Sequence, residues 1–228
     1  MSNAGSTKAQ NACAVEQIAF VIHPAWARFL KRSIDMLFSL FVLLLIWPLI
    51  AAVAIGIKLS SPGPVFYRGV RTGLHGIPFR ILKFRTMVVD AESLGGPTTG
   101  TNDKRVTRIG AYMRRAKLDE LPQFLNVLVG DMSLVGPRPE ILEYTAIYKG
   151  EEKIILSMRP GITDYASIEF ANLDDLVGNI DPDKYFREYI MPRKTELRVK
   201  YVKEWSLKSD FMILWTTLCR VAKRIIDR

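Results

Sequence analysis

MLFSLFVLLLIWPLIAAVAIGI, residues Met36–Ile57, decides how the rest of the chain is read. Its 22 residues carry no charge, and a helix of about 20 apolar residues is long enough to cross the hydrocarbon core of a bilayer. A signal peptide has a shorter apolar region, closer to the N-terminus and followed by a small-residue cleavage site, and this run has none of those features. A buried core helix is the alternative, but it rarely needs such unbroken apolarity. Pro48 sits near the middle, where it removes a backbone hydrogen bond and bends a helix. Ser39 is too far upstream to satisfy the carbonyl that Pro48 frees. Arg28, Lys31 and Arg32 precede the run, and Lys58, Arg68 and Arg71 follow it. Positive flanks favour the cytoplasmic side, and here both ends have them. A helix that enters the membrane, bends at Pro48 and returns to the same face satisfies both observations; an ordinary span containing a proline stays open.

Around that segment the chain is 228 residues long, 49% hydrophobic and 24% charged, which excludes a disordered chain and an ordinary multi-span protein. The net charge of +9 calls for an anionic partner: nucleic acid, an anionic membrane surface or phosphorylated substrates. Cys13 and Cys219, near opposite ends, and His23 and His75 form no disulfide framework and no His-based metal site. A reducing, cytoplasmic compartment is the default. Ser2-Asn3-Ala4 is read as a cloning remnant.

After the apolar run, Ser61-Pro62-Gly63-Pro64 is a sharp stop. Val65-Phe66-Tyr67 and Phe79 to Phe84, separated by Thr72-Gly73-Leu74-His75-Gly76, read as a β-hairpin. Residues 90 to 104 read as a loop, and 109–116 and 120–129 as helices. Gly136-Pro137-Arg138-Pro139 is a rigid break, a helix is expected from Glu140 to Met158, and Arg159-Pro160-Gly161 closes it. Residues 162 to 180 are expected to be irregular, and the chain from Lys184 onward helical with a break near Pro192. The expected fold is mostly helical α+β, with a re-entrant membrane helix, a small β-hairpin and amphipathic interfacial helices. Its expected divisions are an N-terminal segment (1–27), the membrane helix (28–60) and a cytoplasmic catalytic domain (61–228).

The last 45 residues hold twelve Lys/Arg against five Asp/Glu. Phe211, Leu214, Trp215, Leu218, Val221, Ala222 and Ile225 recur there at helical spacing, with Arg220, Lys223, Arg224 and Arg228 mostly off that face. Such a helix can rest on an anionic membrane or pack its apolar face on the core.

Three clusters could carry chemistry. In Lys117-Leu118-Asp119-Glu120-Leu121-Pro122-Gln123, Asp119 can cap a helix and Glu120 can complement its dipole. The same adjacent carboxylates, beside Arg114, Arg115 and Lys117, suit phosphate chemistry: one can attack phosphorus and the other can help hold Mg²⁺. Gly136-Pro137-Arg138-Pro139 fixes the backbone around one arginine, either as a tight surface turn or as a preorganised fork for phosphate. Lys83, Arg85, Arg105 and Arg108, singly surface charges, could together line an anionic pocket with Asp103.

These motifs occur in a specific order: Lys31-Arg32-Ser33-Ile34-Asp35, Ser61-Pro62-Gly63-Pro64-Val65-Phe66, Lys83-Phe84-Arg85-Thr86-Met87, Leu118 to Gln123, Asn126-Val127-Leu128, Gly130-Asp131-Met132-Ser133, Val135 to Pro139 and Arg159-Pro160-Gly161-Ile162-Thr163. From about Arg28 to the C-terminal region, the chain resembles the monotopic phosphoglycosyl transferases, bacterial sugar transferases that act on polyprenyl phosphate. The resemblance implies a re-entrant helix broken at Pro48, although Trp47 stands where relatives often have serine. It implies Asp119 as nucleophile and Glu120 as its partner, Arg114 near the substrate phosphates, Arg138 in the Gly-Pro-Arg-Pro loop, and Mg²⁺ as cofactor. The implied reaction moves a sugar 1-phosphate from a UDP-sugar to polyprenyl (undecaprenyl) phosphate and releases UMP, at the cytoplasmic face of a bacterial inner membrane, as a first step of surface glycan assembly. The chain resembles the compact form of the family, and Thr163 to Asn172 are expected to shape the sugar pocket. A membrane scaffold would explain the charge and the apolar run but leave Asp119-Glu120 idle. A nucleic-acid-binding protein would explain +9 but not the membrane segment, and no binding motif is present.

Overall fold

The computed structural model describes residues 23–95, 103–171 and 182–226. Helix α1, Ala25–Ser60, runs 36 residues with Pro48 inside it, and no loop interrupts it there. Among the described residues it is the one helix long and apolar enough to cross a membrane. Its middle is bare: Leu37, Phe41, Leu44, Leu45 and Trp47 are each more than 60% exposed. Its two ends are not. At the first, the Lys31 ammonium donates to Val135 O (2.9 Å) and Asp210 (2.6 Å). Arg32 donates to Val127 O (2.7 Å) and Leu128 O (3.1 Å). Asp35, buried, accepts from Ser133 Oγ (2.7 Å) and Leu134 N (3.2 Å). At the second end, Ile57 is buried with Phe84 and Met113. Both ends of an otherwise unsupported apolar helix therefore dock on the same folded body.

That body begins with the expected hairpin. β1 (Phe66–Tyr67) pairs with β4 (Lys83–Phe84), and β2 (Val70–Thr72) with β3 (Pro78–Arg80). The pairs Phe66↔Phe84 and Thr72↔Pro78 share one register, so the two ladders are a single interrupted hairpin. Gly76 (φ 77°) and His75 (φ 57°) make the turn at its tip. Helix α2, Arg108–Arg115, starts at Thr107, whose hydroxyl accepts from Gly110 N. The expected helix from residue 120 is two pieces. A 3-10 turn at Leu118–Glu120 follows Lys117, which is left-handed at φ 56°, and α3 (Gln123–Val129) begins after Pro122. Proline suits a first turn, where its missing N–H leaves no bond unmade.

Three expectations are corrected. Residues 140–158 are not one helix: α4 is only Leu142–Thr145, and a 3-10 segment spans Gly150–Ser157. Residues 146–149, ending in extended Lys149, separate them, and the second segment opens with Gly150 at φ 49°. Residues 162–171 are not irregular: β6 (Gly161–Thr163) pairs in parallel with β5 (Ser133–Val135), and α5 covers Tyr165–Glu169. In the last segment α6 (Pro182–Tyr185) passes through a π turn at Phe186–Ile190 into α7 (Met191–Glu204), with Pro192 in the first turn of α7. The break falls instead at Trp205, before α8 (Leu207–Ile226). Residues 96–102 of the expected loop, and 172–181, lie outside the described residues.

The main core gathers Ala27, Ile81, Val127, Met132, Leu134, Tyr201, Val202, Trp205 and Ile213 from α1, the hairpin, α3, β5, α7 and α8. A second cluster joins Tyr144, Tyr148, Ile155, Phe186 and Ile190. The apolar set expected on the last helix divides. Leu214 packs on the main core, while Phe211, Trp215 and Leu218 are exposed, an apolar stripe of the kind that marks an interaction surface. The side chains of Arg224, Ile225 and Arg228 lie outside the described residues.

Candidate active site

The turn after α2 carries Asp119 and Glu120 inward. Glu120 is gripped from two sides. Arg138 donates to both of its oxygens, through Nη1 to Oε2 at 3.2 Å and through Nη2 to Oε1, and the Lys83 ammonium lies 3.0 Å from Oε1. Lys83 comes from β4, whose neighbour Leu82 donates its N–H to Asn126 Oδ1 (2.8 Å), while Asn126 Nδ2 donates to Arg80 O (2.9 Å). That side chain ties the hairpin to α3 and so fixes the lysine relative to the acidic turn. Arg138 also donates to Ile162 O (3.0 Å), and its backbone N–H donates to Asp164 Oδ2 (3.0 Å). Arg114 donates through Nε to Thr86 Oγ1 (2.9 Å) and lies close enough to Asp119 to influence its charge.

Asp119 differs from its neighbour. It is 8% exposed, and its Oδ1 is buried without a hydrogen-bond partner. Burial raises its pKa and the negative Glu120 adds to the rise, against Lys83, Lys117 and Arg114. Burial also pushes Glu120 up, but Arg138 and Lys83 outweigh it and hold Glu120 well below the usual carboxylate range. Two adjacent acids with opposite shifts are a functional-site signature rather than a simple helix cap. The cap role considered for Asp119 is not made: no side-chain cap bond is present at the turn or at α3.

The structure brings together Asp119, Glu120, Lys83, Arg114 and Arg138. Pro137 and Pro139 flank Arg138 and, with Thr72, Thr145 and Tyr148, line a cavity of about 20 Å³ behind it. Arg85 and Arg105 are committed elsewhere. Buried Arg85 donates to Pro62 O (2.7 Å), Ser61 O (2.9 Å) and Ser61 Oγ (2.8 Å), clamping the exit of α1. Arg105 pairs with Asp103 (2.7 Å) and donates to Ala91 O (3.3 Å). Asp164, which the sequence reading placed only in the stretch shaping the sugar pocket, and Asn126, to which it gave no role of its own, are site-building residues. The Asp164…Ser167 spacing, a helix-cap signature, was the available signal for the first: its carboxylate accepts from Ser167 N at 2.6 Å. Among the described residues no group of three His, Cys, Asp or Glu is placed to hold a metal on its own.

Residues 26–224 match the family described as bacterial sugar transferase. The chain belongs to that family. Among curated bacterial sugar transferases and their relatives, it is 39% identical over 194 residues to UDP-glucose:undecaprenyl-phosphate glucose-1-phosphate transferase of Escherichia coli (strain K12), covering 84% of this chain and 40% of that protein. It is 38% identical over 198 residues to the UDP-N-acetylgalactosamine-undecaprenyl-phosphate N-acetylgalactosaminephosphotransferase of Aeromonas hydrophila, covering 83% of this chain and 43% of that one. A putative undecaprenyl-phosphate N-acetylgalactosaminyl 1-phosphate transferase of Bacillus subtilis (strain 168) is 44% identical over 154 residues, covering 66% of this chain and 86% of the relative. The chain thus spans well under half the length of the first two and most of the third.

Proposed function

We propose that this bacterial sugar transferase moves a sugar 1-phosphate from a UDP-sugar to undecaprenyl phosphate through a covalent intermediate on Asp119. The observation that carries the reading is the asymmetry of the acid pair: Glu120 is neutralised by Arg138 and Lys83, while Asp119 keeps a buried oxygen with no partner. A carboxylate so placed is under-solvated, hence reactive, once it is ionised. Asp119 attacks the β-phosphorus of the UDP-sugar. An O–P bond forms, the bond from that phosphorus to the bridging oxygen breaks, and UMP leaves with the bridging oxygen. An oxygen of undecaprenyl phosphate then attacks the same phosphorus and displaces the Asp119 carboxylate, giving the lipid diphosphosugar.

The remaining side chains orient the substrate. The incoming diphosphate competes with Glu120 for the planar fork of Arg138 and for Lys83, and Arg114 takes a further oxygen. Mg²⁺, which typically binds one or two carboxylates plus phosphate oxygens, fits the donors in part: Asp119 offers its unpartnered Oδ1, whereas both Glu120 oxygens are engaged by Arg138, one also by Lys83, and become available only if those cations turn to substrate. When bound, the ion would offset the repulsion between the acid pair and the diphosphate.

The proposed membrane location rests on α1. Its bare apolar middle and its two docked ends support a segment that enters and leaves by the cytoplasmic face, and the exposed Phe211, Trp215 and Leu218 support a second, superficial contact. UMP release from UDP-glucose or UDP-N-acetylgalactosamine, dependent on undecaprenyl phosphate, tests the activity. Asp119→Asn is expected to abolish it and EDTA to suppress it until Mg²⁺ is restored. Full turnover in Asp119→Asn, with deamidation excluded, contradicts the nucleophile; undiminished turnover in EDTA contradicts the metal.

A further inference from the structure

Behind Arg138 lies a second charged cluster that the reaction above does not use. Arg198, in the middle of α7, is 1% exposed, and Asp164 is fully buried. Arg198 Nη2 donates to Glu140 Oε1 at 2.6 Å, and its Nε lies 3.5 Å from Asp164 Oδ2 without making a hydrogen bond. Burial opposes the charge on Arg198, but Glu140 and Asp164 outweigh it and raise its pKa. Asp164 itself, despite burial, is held below the usual carboxylate range by Arg198 and by its hydrogen bonds.

The two acids that Arg198 joins bracket Arg138. Asp164 accepts the Arg138 N–H at 3.0 Å, and Glu140 stands two residues further along the chain, with its carbonyl accepting Thr72 N at 3.0 Å. The guanidinium of Arg198 thus fixes both sides of the Gly136–Pro139 loop to α7. A buried ion cluster of this kind is a costly way to gain stability, since apolar residues of similar volume often serve as well. What it supplies is a fixed backbone position for the residue it encloses. We propose that Arg198 is a positioning residue: through Asp164 and Glu140 it sets the backbone of Arg138, and so the angle at which the Arg138 fork meets either Glu120 or a substrate diphosphate. The inference rests on the reading of Arg138 as a phosphate-gripping group.

Two measurements on the full chain in detergent test it. In a double-mutant cycle on UMP release, Arg198→Lys is expected to lower kcat/KM about tenfold alone, and by less than twofold when Arg138 is already alanine. A merely structural role lowers both backgrounds by the same factor, and that result overturns the proposal. Independently of turnover, amide exchange in residues 136–140 is expected to quicken in Arg198→Lys, while exchange in α3 stays unchanged. Equal protection of the loop in both proteins overturns the proposal as well. If Arg198→Lys does not fold, the pair Asp164→Asn with Arg198→Gln, which removes one positive and one negative charge and leaves Glu140, whose side chain is 16% exposed, to the nearby Lys194 and water, serves in both arms with the same expected outcomes. A wild-type chain that released no UMP would defeat the functional reading, and the exchange measurement would still decide the positioning.

Discussion

Asp119 and Glu120 are neighbours in sequence with opposite electrostatic fates, and a pH profile exposes the difference. In the proposed mechanism Asp119 must be ionised to attack, and burial together with the charge on Glu120 raises its pKa. The acidic limb of kcat/KM should therefore fall at a pH above the ordinary aspartate value. Glu120→Gln removes the like charge and leaves Lys83 and Arg138 unneutralised, and both changes lower the pKa of Asp119. The limb should move to lower pH even as turnover drops, and an unmoved limb would show that it reports another group. Lys194 offers a stability counterpart. It is buried between Phe186 and Phe170, its ammonium 4.9 and 5.9 Å from the ring centroids. Burial pushes its pKa from 10.5 down to about 8, with Glu140 opposing and Arg198 and Arg138 assisting. Between those two values the unfolded chain holds a proton that the folded chain has lost, so the wild type gains stability as pH rises through that window. Lys194→Met should be the more stable protein at pH 7, with the gap closing towards pH 10; urea titrations that give a constant gap would contradict the assignment. Of this residue-scale picture, the sequence disclosed the acid pair and Arg138, because they sit in short, ordered motifs. It did not disclose Arg198, one of twelve basic residues in the last segment, or the diversion of Arg85, whose partners Ser61 and Pro62 are 24 and 23 positions away.

Among the elements, legibility followed the strength of local signals. The hairpin was readable because glycines mark its tip and β-prone residues its arms. The parallel pairing of β5 with β6 was not, because three-residue strands have too few positions for an alternating pattern and their pairing is decided by distant contacts. The expected 140–158 helix stops at Thr145, and the chain turns again only as a 3-10 segment from Gly150, whose positive φ an α-helix does not hold. Arg85 belongs to this scale, since it joins β4 to the exit of α1. Arg85→Met should remove three hydrogen bonds to half-buried Ser61 and exposed Pro62, whose oxygens water can then reach, at a cost of about 2 kcal/mol. Turnover per folded molecule should stay near wild type. A variant of unchanged stability but low kcat would return Arg85 to the acid pair.

The whole molecule is organised around one geometric fact: the apolar middle of α1 is bare while residues on both sides of it are fastened to the same body. The sequence suggested this through Pro48 and the basic flanks, but it could not show that Lys31, Asp35 and Ile57 dock on neighbouring parts of one domain. Cysteines introduced at Ala25 and at Ser60 should both resist an impermeant thiol reagent applied from the periplasm, and labelling of one of them would establish a straight span. The proposed two-step transfer, in which Asp119 keeps the sugar phosphate between UDP-sugar and lipid, makes its own demand on the acid pair. The most direct test is intact-protein and peptide mass spectrometry after incubation with a UDP-sugar and no lipid acceptor. The account predicts a mass increase of one phosphosugar, carried by the peptide containing Asp119 and discharged on adding undecaprenyl phosphate. UMP release that requires the lipid from the first turnover, with no adduct on Asp119, would contradict it.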